Sequence, residues 1–574
     1  MKRMVTKGYF SFVLHSHIPW VLNHGTWPHG MSWVHEACVE SYLPILKELY
    51  NLIENGYTPK LTIGITPVLM EMLISSQFKD SFKGYIHEKI DASRQDHDRF
   101  LSEGHNHKAR LASFWEEWYE NMRDLYISGA SEDIIGAFKR LQDENTIEII
   151  TSAATHGYFP LMPSDASIQA QIRAGIASYE TVFGRKPRGF WLPECAYRPG
   201  YEWKNPLEPY DNPGRYRRGV EWYLAKENIE YFLVDTHLTM GGTAQGVYAA
   251  RFKILKKLWD QFMKSYKPVG DIKDRTPYEP YLVYSEEPIN PVAVFTRDEK
   301  TGVLVWSGEH GYPGDGTYLD FHKKHYPGGL RYWKVTGTKI DLGNKHEYYI
   351  DDTPSRLDEN ASHFKDTVKG ILSNYHYHHG RPGIINAMYD TELFGHWWFE
   401  GPWWMNRVLR WIEEDPEIEL TTVGEYHEKF PAYKQISLPE GSWGQGGGHW
   451  IWFNDWTIWV WKCINECEGK IEEIASNYSG TDDAVLHDIC NQLARELLLL
   501  ESSDWPFLIS TWSARDYAEL RVRTHYENFK LLYDLANTRG MSGEFTMESR
   551  NLLEKIKNED NPFPKVDISW WLHD

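Results

Sequence analysis

The stretch GFWLPECAY at residues 189–197, preceded by ASIQAQIRAGIASYETVFG at 166–184, carries the fold in miniature. The earlier segment reads as a helix. The later one reads as a strand, apolar up to Pro193, that then presents a carboxylate at Glu194. Strand-like runs recur as GYFSFVLHSH (8–17), LTIGIT (61–66), TIEIITSA (146–153), YFLVDT (231–236), PVAVFT (291–296), GVLVWS (302–307) and GIINAMYD (383–390), with helical stretches between several of them. Strands alternating with helices predict an α/β fold with a parallel sheet, and this many predict a closed barrel.

Four of these strands end in ionisable side chains: His15 and His17, then His156, Glu194 and Asp390. Period-two alternation puts Tyr9, Ser11, Val13, His15 and His17 on one face, so the two histidines share a side. In a parallel barrel the carboxyl ends of all strands open onto one face, where these groups can converge. Singly, each is more often a helix cap or a hydrogen-bonded core residue; four at equivalent places point to a site.

Two chemistries suit such a set. Glu194 and Asp390 can serve as a glycosidase pair, nucleophile and general acid/base, with the histidines binding sugar hydroxyls. Alternatively, His15, His17 and a carboxylate can hold a water-activating metal, as in zinc deacetylases or zinc-dependent mannosidases, although no Asp stands beside HSH to complete that set.

Outside the strands the pattern changes. Phe78, Phe82, Tyr85, Ile86 and Ile90 recur at helical spacing, as do Phe114, Trp118, Met122 and Leu125, predicting an inserted helical subdomain at 67–149 between barrel segments 1–66 and 150–410. Residues 251–280 read as a helix and a long excursion. Leu486, Ile489, Leu493, Leu497 and Leu500 share a face within a C-terminal helical domain at 411–574.

Composition narrows the partners. Of 574 residues, 61 are Lys or Arg and 81 Asp or Glu, a formal charge of −20 that opposes binding to nucleic acid or an anionic membrane. No apolar run spans a bilayer, and no signal peptide is read at the N-terminus. Five thinly spread cysteines argue against a disulfide framework, so a reducing, cytoplasmic setting is expected. Aromatics make up 15% of the chain, 26 of them Trp, yet mean hydropathy is −0.55. Abundant rings in a hydrophilic chain make carbohydrate a candidate partner.

The rings cluster in DTELFGHWWFEGPWW after Asp390 and in GSWGQGGGHWIWFNDWTIWVW at 441–461. The glycines around Trp443 predict a loop, on which a tryptophan has little local reason to be buried. Trp456, Trp459 and Trp461 read as packing residues of the helix that follows.

Taken together, HSHIPW, THGYFPL, WLPECAY, MYDTELFGHWWFEG and GSWGQGG resemble, in order, the five signature regions of glycoside hydrolase family 57. VLVWSGEHGYPGDGTY (303–318) and LARELLLLESSDWPFLI (493–509) are closer to that family's 1,4-α-glucan branching enzymes than to its α-amylases or amylopullulanases. The resemblance implies a (β/α)7 barrel, an incomplete relative of the eightfold barrel, acting without cofactor or metal on α-1,4-glucan. It implies Glu194 as nucleophile and Asp390 as acid/base. His15, His17, His156, Trp306, Trp443 and Trp452 would line the donor site, and Arg297, Gly314, Trp443 and Asp504 would bind substrate. A family α-amylase, a 4-α-glucanotransferase or a glucan-binding protein without turnover remain alternatives. The family's branching enzymes carry a loop tyrosine after the fifth strand, which Tyr248 does not match plainly, and the insertion at 333–349 has no assigned counterpart.

Overall fold

Strand β1 (Gly8–Ser16) is buried throughout, and its side chains divide between two environments. Tyr9 and Val13 join an interior cluster with Ile150, Trp191, Leu233, Phe295 and Met388. Phe10, Phe12 and Leu14 face the surrounding helices, where Phe12 stacks on Phe364 at 6.2 Å. This is the alternation of a strand in a barrel wall. The computed structural model describes residues 5–208, 213–241, 255–264, 270, 272, 274–284, 290–308, 311–337 and 339–572.

Six more strands complete the wall: β2 (Leu61–Ile65), β3 (Ile147–Ser152), β4 (Gly189–Trp191), β5 (Tyr231–Val234), β6 (Val292–Thr296) and β7 (Gly383–Asp390). The order is β7-β1-β2-β3-β4-β5-β6, and every neighbouring pair is parallel. The ends meet at an Arg297–Asn386 bridge. There the Asp298 N–H donates to the Asn386 carbonyl at 3.0 Å, and the Asn386 side-chain amide donates to the Thr296 carbonyl at 3.2 Å. Seven parallel strands joined by this short seam form the expected (β/α)7 barrel.

Helices α1 (Ser76–Ser102) and α2 (Asn106–Asp124) form a hairpin after β2. The face read on α1 is buried at Phe78, Phe82, Ile86 and Ile90. Of the residues read on one face of α2 and its C-cap, Trp118 and Met122 are buried and Phe114 and Leu125 half-buried, and the buried face widens to Trp115, which donates its indole N–H to the Arg331 carbonyl at 2.7 Å. That bond ties the hairpin to the segment leading into 333–349, where Trp333 bridges Glu347.

Helix α3 (Asp165–Phe183) is capped by Ser164, whose hydroxyl accepts from the Ser167 N–H. A Cβ at Gly175 would lie 2.2 Å from the Ser152 carbonyl oxygen, so only glycine lets α3 sit this close to β3.

The GVLVWS run is not a strand. Residues Glu299–Trp306 form helix α4, with Asp298 as N-cap accepting from the Thr301 N–H at 2.7 Å. The cap and the need for a crossover after β6 override the β-preference of Val303 and Val305.

After α4 come α5 (Thr353–His379), then α6 (Ile458–Tyr478), α7 (Ala484–Leu500), α8 (Asp504–Thr511) and α9 (Arg515–Ser542). The five residues read on one face of α7 are all buried. The excursion at 251–280 contains a helix at Lys256–Phe262, whereas Tyr248 lies outside the described residues. All five cysteines are free, and no described helix is long and apolar enough to cross a membrane.

Candidate active site

Strand β4 stops at Trp191, and Pro193 turns the chain into a tight bend where Glu194 adopts φ 57°, ψ 24°. At the end of β3, His156 likewise has φ 60°. Left-handed backbone is unfavourable for both side chains and persists only where the surroundings hold it. Here the C-terminal third of the chain does so. The Trp443 N–H donates to the Glu194 carbonyl at 3.0 Å, and the Ser503 N–H donates to the His156 carbonyl at 3.1 Å.

Side chains repeat the pattern. The Trp443 indole N–H donates to Glu194 Oε2 at 2.7 Å. His156 Nδ1 lies 2.8 Å from Ser503 Oγ, and His17 Nε2 lies 2.7 Å from Asp504 Oδ2. His17 Nδ1 meets Thr66 Oγ1 at 3.0 Å, and His15 Nε2 meets His156 Nε2 at 3.1 Å. The His15 ring stacks on Trp191 at 4.5 Å. Asp390 ends β7 in register with His15 of β1. The strand-end groups thus converge as expected: His15, His17, His156, Glu194, Asp390, Trp443 and Asp504 all line one cavity of about 490 Å³.

The field inside it separates the carboxylates. Burial pushes Glu194 up to about 7; the Asp504 charge adds to this, while the Trp443 N–H and His17 oppose it. Burial also raises Asp390 well above the usual carboxylate range, and the charges of Glu392 and Glu194 raise it further, with only Arg297 opposing. His15 and His156 are held neutral by burial and by nearby His17. Burial lowers His17, but the charge and hydrogen bond of Asp504 together with the charges of Glu194 and Glu392 raise it on balance.

Other residues singled out from the sequence stand behind the cavity wall. Arg297 pairs with Asp235 at 2.8 Å, with its guanidinium 5.8 Å from the Trp443 ring centroid. Trp306 meets Trp443 edge-on at 6.0 Å. Trp452 is 1% exposed and stacks on Tyr158 at 4.4 Å. Gly314 lies in a turn at Tyr312–Gly314 and is not among the lining residues.

Trp443 corrects the sequence expectation, since it is only 8% exposed. The glycines that exclude a helix allow the loop to fold back on itself: Gly446 has φ 74°, and its missing side chain leaves room for Phe262 and Trp259. Lining residues not singled out include Glu392, His396 and Trp397, all within the quoted TELFGHWW, and Phe321, which no motif marks.

His17, His156 and Asp504 bring donor atoms within 4.8 Å of one another, close enough for a cation. Yet His17 Nε2 is already committed to Asp504 and His156 Nε2 to His15. A proton on His17 satisfies Asp504 without a metal.

Residues 11–439 match the sequence model of glycosyl hydrolase family 57, and residues 463–571 match that of the 1,4-alpha-glucan branching enzyme C-terminal region. A 1,4-alpha-glucan branching enzyme of Thermococcus kodakarensis is 40% identical over 98% of this chain and 78% of its own length. Its crystal structure superposes with a TM-score of 0.88 over 99% of this chain and 97% of that one. A branching enzyme of this type from Pyrococcus horikoshii gives 0.87 at 38% identity, with coverage of 99% and 97%. An α-amylase of Thermotoga maritima gives 0.80 at 27% identity, with 99% of each chain covered.

Proposed function

The chain belongs to glycosyl hydrolase family 57, and we infer from its relatives and its site that it is a 1,4-α-glucan branching enzyme. The observation that carries this reading is that Glu194 and Asp390 face one cavity with a wall contributed by the branching-enzyme C-terminal segment, through Asp504, Phe507 and Leu508.

The mechanism is a double displacement. Glu194 attacks C1 of an α-1,4-linked glucosyl unit while Asp390 gives its proton to the departing O4, leaving a covalent glucosyl ester. A 6-hydroxyl of another chain then attacks C1, Asp390 takes its proton, Glu194 leaves as carboxylate, and an α-1,6 branch results. One proton must therefore reside on the pair, and the field assigns it. Glu194 has an N–H donor and a cationic His17 to favour its charge, whereas Asp390 faces two other carboxylates. Asp390 holds the proton.

The remaining residues take supporting roles in this reading. His15, His17, His156, Trp443 and Asp504 contact the donor chain. Arg297, Trp306 and Trp452 hold the surfaces behind it, and Gly314 shapes a substrate-binding turn. Segments 1–66 and 150–410 are the catalytic barrel, 67–149 its helical insertion and 411–574 the C-terminal domain. The setting is cytoplasmic synthesis of a glycogen-like polysaccharide, supported by the five unpaired cysteines.

The test is incubation with amylose. Branching lowers iodine staining with little gain in reducing ends and creates chains released by a debranching enzyme; Glu194→Gln abolishes both changes. Reducing ends in step with the loss of staining would mean an α-amylase. Chain-length redistribution without new branches would mean a 4-α-glucanotransferase, and tight binding without product a glucan-binding protein.

A further inference from the structure

The two C-terminal segments that reach the catalytic cavity each end on a tryptophan. The loop that begins with Trp443 runs to Trp456, and helix α8, which begins with Asp504, is followed by Trp512. These two rings meet, with centroids 5.9 Å apart and planes at 59°. The sequence assigns Trp456 to helix packing, but it precedes α6 and remains partly exposed.

Trp512 breaks two ordinary rules at once. It is 51% exposed, and its backbone is left-handed, φ 60°, ψ 16°, at a helix C-cap where glycine is the usual residue. Neither burial nor backbone preference accounts for a tryptophan there. What surrounds it is built: Arg515 lies 5.0 Å over the ring and is itself held by Glu519 at 2.7 Å. The Trp456 turn is pinned to α8, since Asn454 donates to Ser510 Oγ at 2.9 Å and its Oδ1 accepts from the Trp456 N–H at 2.9 Å.

The pair also adjoins the cavity. Leu508, one turn before Trp512, lines it, and so does Ser513, the next residue. Along α8, Trp512 lies about 12 Å from Asp504, further than a single sugar unit reaches.

We propose that Trp512 and Trp456 form an outer stacking platform for an α-1,4-glucan chain at the rim of the catalytic cavity, a subsite that selects for long chains. The ligand class rests on the branching-enzyme reading. The rings offer flat apolar faces to the CH-rich face of glucose.

The decisive variant is Trp512→Gly, because glycine relieves the left-handed backbone while deleting the ring. In the full chain it should raise the melting temperature and raise KM for amylose by roughly three- to tenfold. It should leave kcat, and turnover of maltooligosaccharides too short to reach the rim, unchanged. Trp512→Phe should restore most of the affinity, and Trp456→Ala should weaken it without the gain in melting temperature. An unchanged KM in Trp512→Gly, or losses of stability and short-chain turnover together, would overturn the platform and make Trp512 a packing residue. Retardation in amylose gels, measured for Trp512→Gly in a Glu194→Gln background, reads the platform separately from turnover. If the wild-type protein does not branch amylose, the functional reading fails, while loss of retardation still supports the platform.

Discussion

Trp443 holds Glu194 twice: its indole N–H donates to Oε2 at 2.7 Å, and its backbone N–H donates to the Glu194 carbonyl at 3.0 Å. The second bond helps hold the left-handed backbone, and the first favours the ionised carboxylate that must attack the sugar. Trp443→Phe keeps an aromatic ring between Trp191 and Trp306 while removing the side-chain donor and part of the ring volume. A hydrogen bond to a charged group contributes about 1.5–3 kcal/mol, so kcat/KM should fall roughly 10- to 100-fold. The sign of the pH effect is fixed: losing a donor to the carboxylate raises the Glu194 pKa further above about 7, moving the acid limb of the pH–rate profile upward. A profile of unchanged shape would show that this bond does not tune the nucleophile.

Glu392 acts on the other partner. It is 8% exposed, is hydrogen-bonded by the Tyr42 hydroxyl, and its charge is the largest electrostatic contribution after burial raising Asp390. Glu392→Gln removes that charge at nearly constant volume. Asp390 then ionises more readily, its pKa falls, and the alkaline limb of kcat/KM should move to lower pH. Tyr42→Phe is the control, since it disturbs the same contact without deleting the carboxylate. No movement of the alkaline limb in Glu392→Gln would mean that Glu392 is itself neutral in the working enzyme.

How much of this was legible in the sequence follows from the range of the interactions. Alternation in GYFSFVLHSH put His15 and His17 on one face because a strand's period is local, and Glu194 and Asp390 stood out because strand ends are local too. The partners of those groups were not local. Asp504 reaches His17 across 487 positions, and Trp443 reaches Glu194 across 249. Only the family motifs pointed to them, and nothing pointed to the clamp geometry. GVLVWS was misread because its composition favours a strand, while Asp298, just upstream, caps a helix there. Phe321 lines the cavity from an irregular segment with no periodicity to read.

A buried acid pair links barrel and C-terminal helices beside the catalytic segment. Glu501 accepts from Gln171 Nε2 at 2.8 Å, Glu468 accepts from the Ser164 N–H at 2.8 Å, and each keeps its other carboxyl oxygen buried without a hydrogen-bond partner among the described residues. Burial pushes Glu501 from its ordinary 4.5 up to about 7, and it raises Glu468 as well, with the Glu501 charge adding to the effect. A folded pKa above the unfolded one means that this contribution to stability is fully present below about 4.5 and is lost as pH rises through about 7. Glu501→Gln mimics the protonated form, so it should raise the melting temperature at pH 8 and change it little at pH 5. Equal shifts at both pH values would refute the account of a buried Glu501 that holds its proton at low pH.

The three residues His17, His156 and Asp504 provide the sharpest test between the two chemistries open at the level of sequence. A metal there needs both imidazoles neutral and a carboxylate free to bind it. Instead, Asp504 raises His17 and accepts its proton at 2.7 Å, and His156 is turned towards His15 and Ser503. Each donor atom already has a partner, and a cation would have to displace the His17 proton to enter. Dialysis against a chelator should therefore leave amylose branching unchanged, and added zinc should inhibit it, more strongly at higher pH where His17 loses its proton more easily. Asp504→Asn should lower the His17 pKa by removing its counter-charge, a change visible in the imidazole titration by NMR. Activity lost to a chelator and restored by zinc would instead make the cluster a catalytic metal centre, and Glu194 would no longer be required as nucleophile.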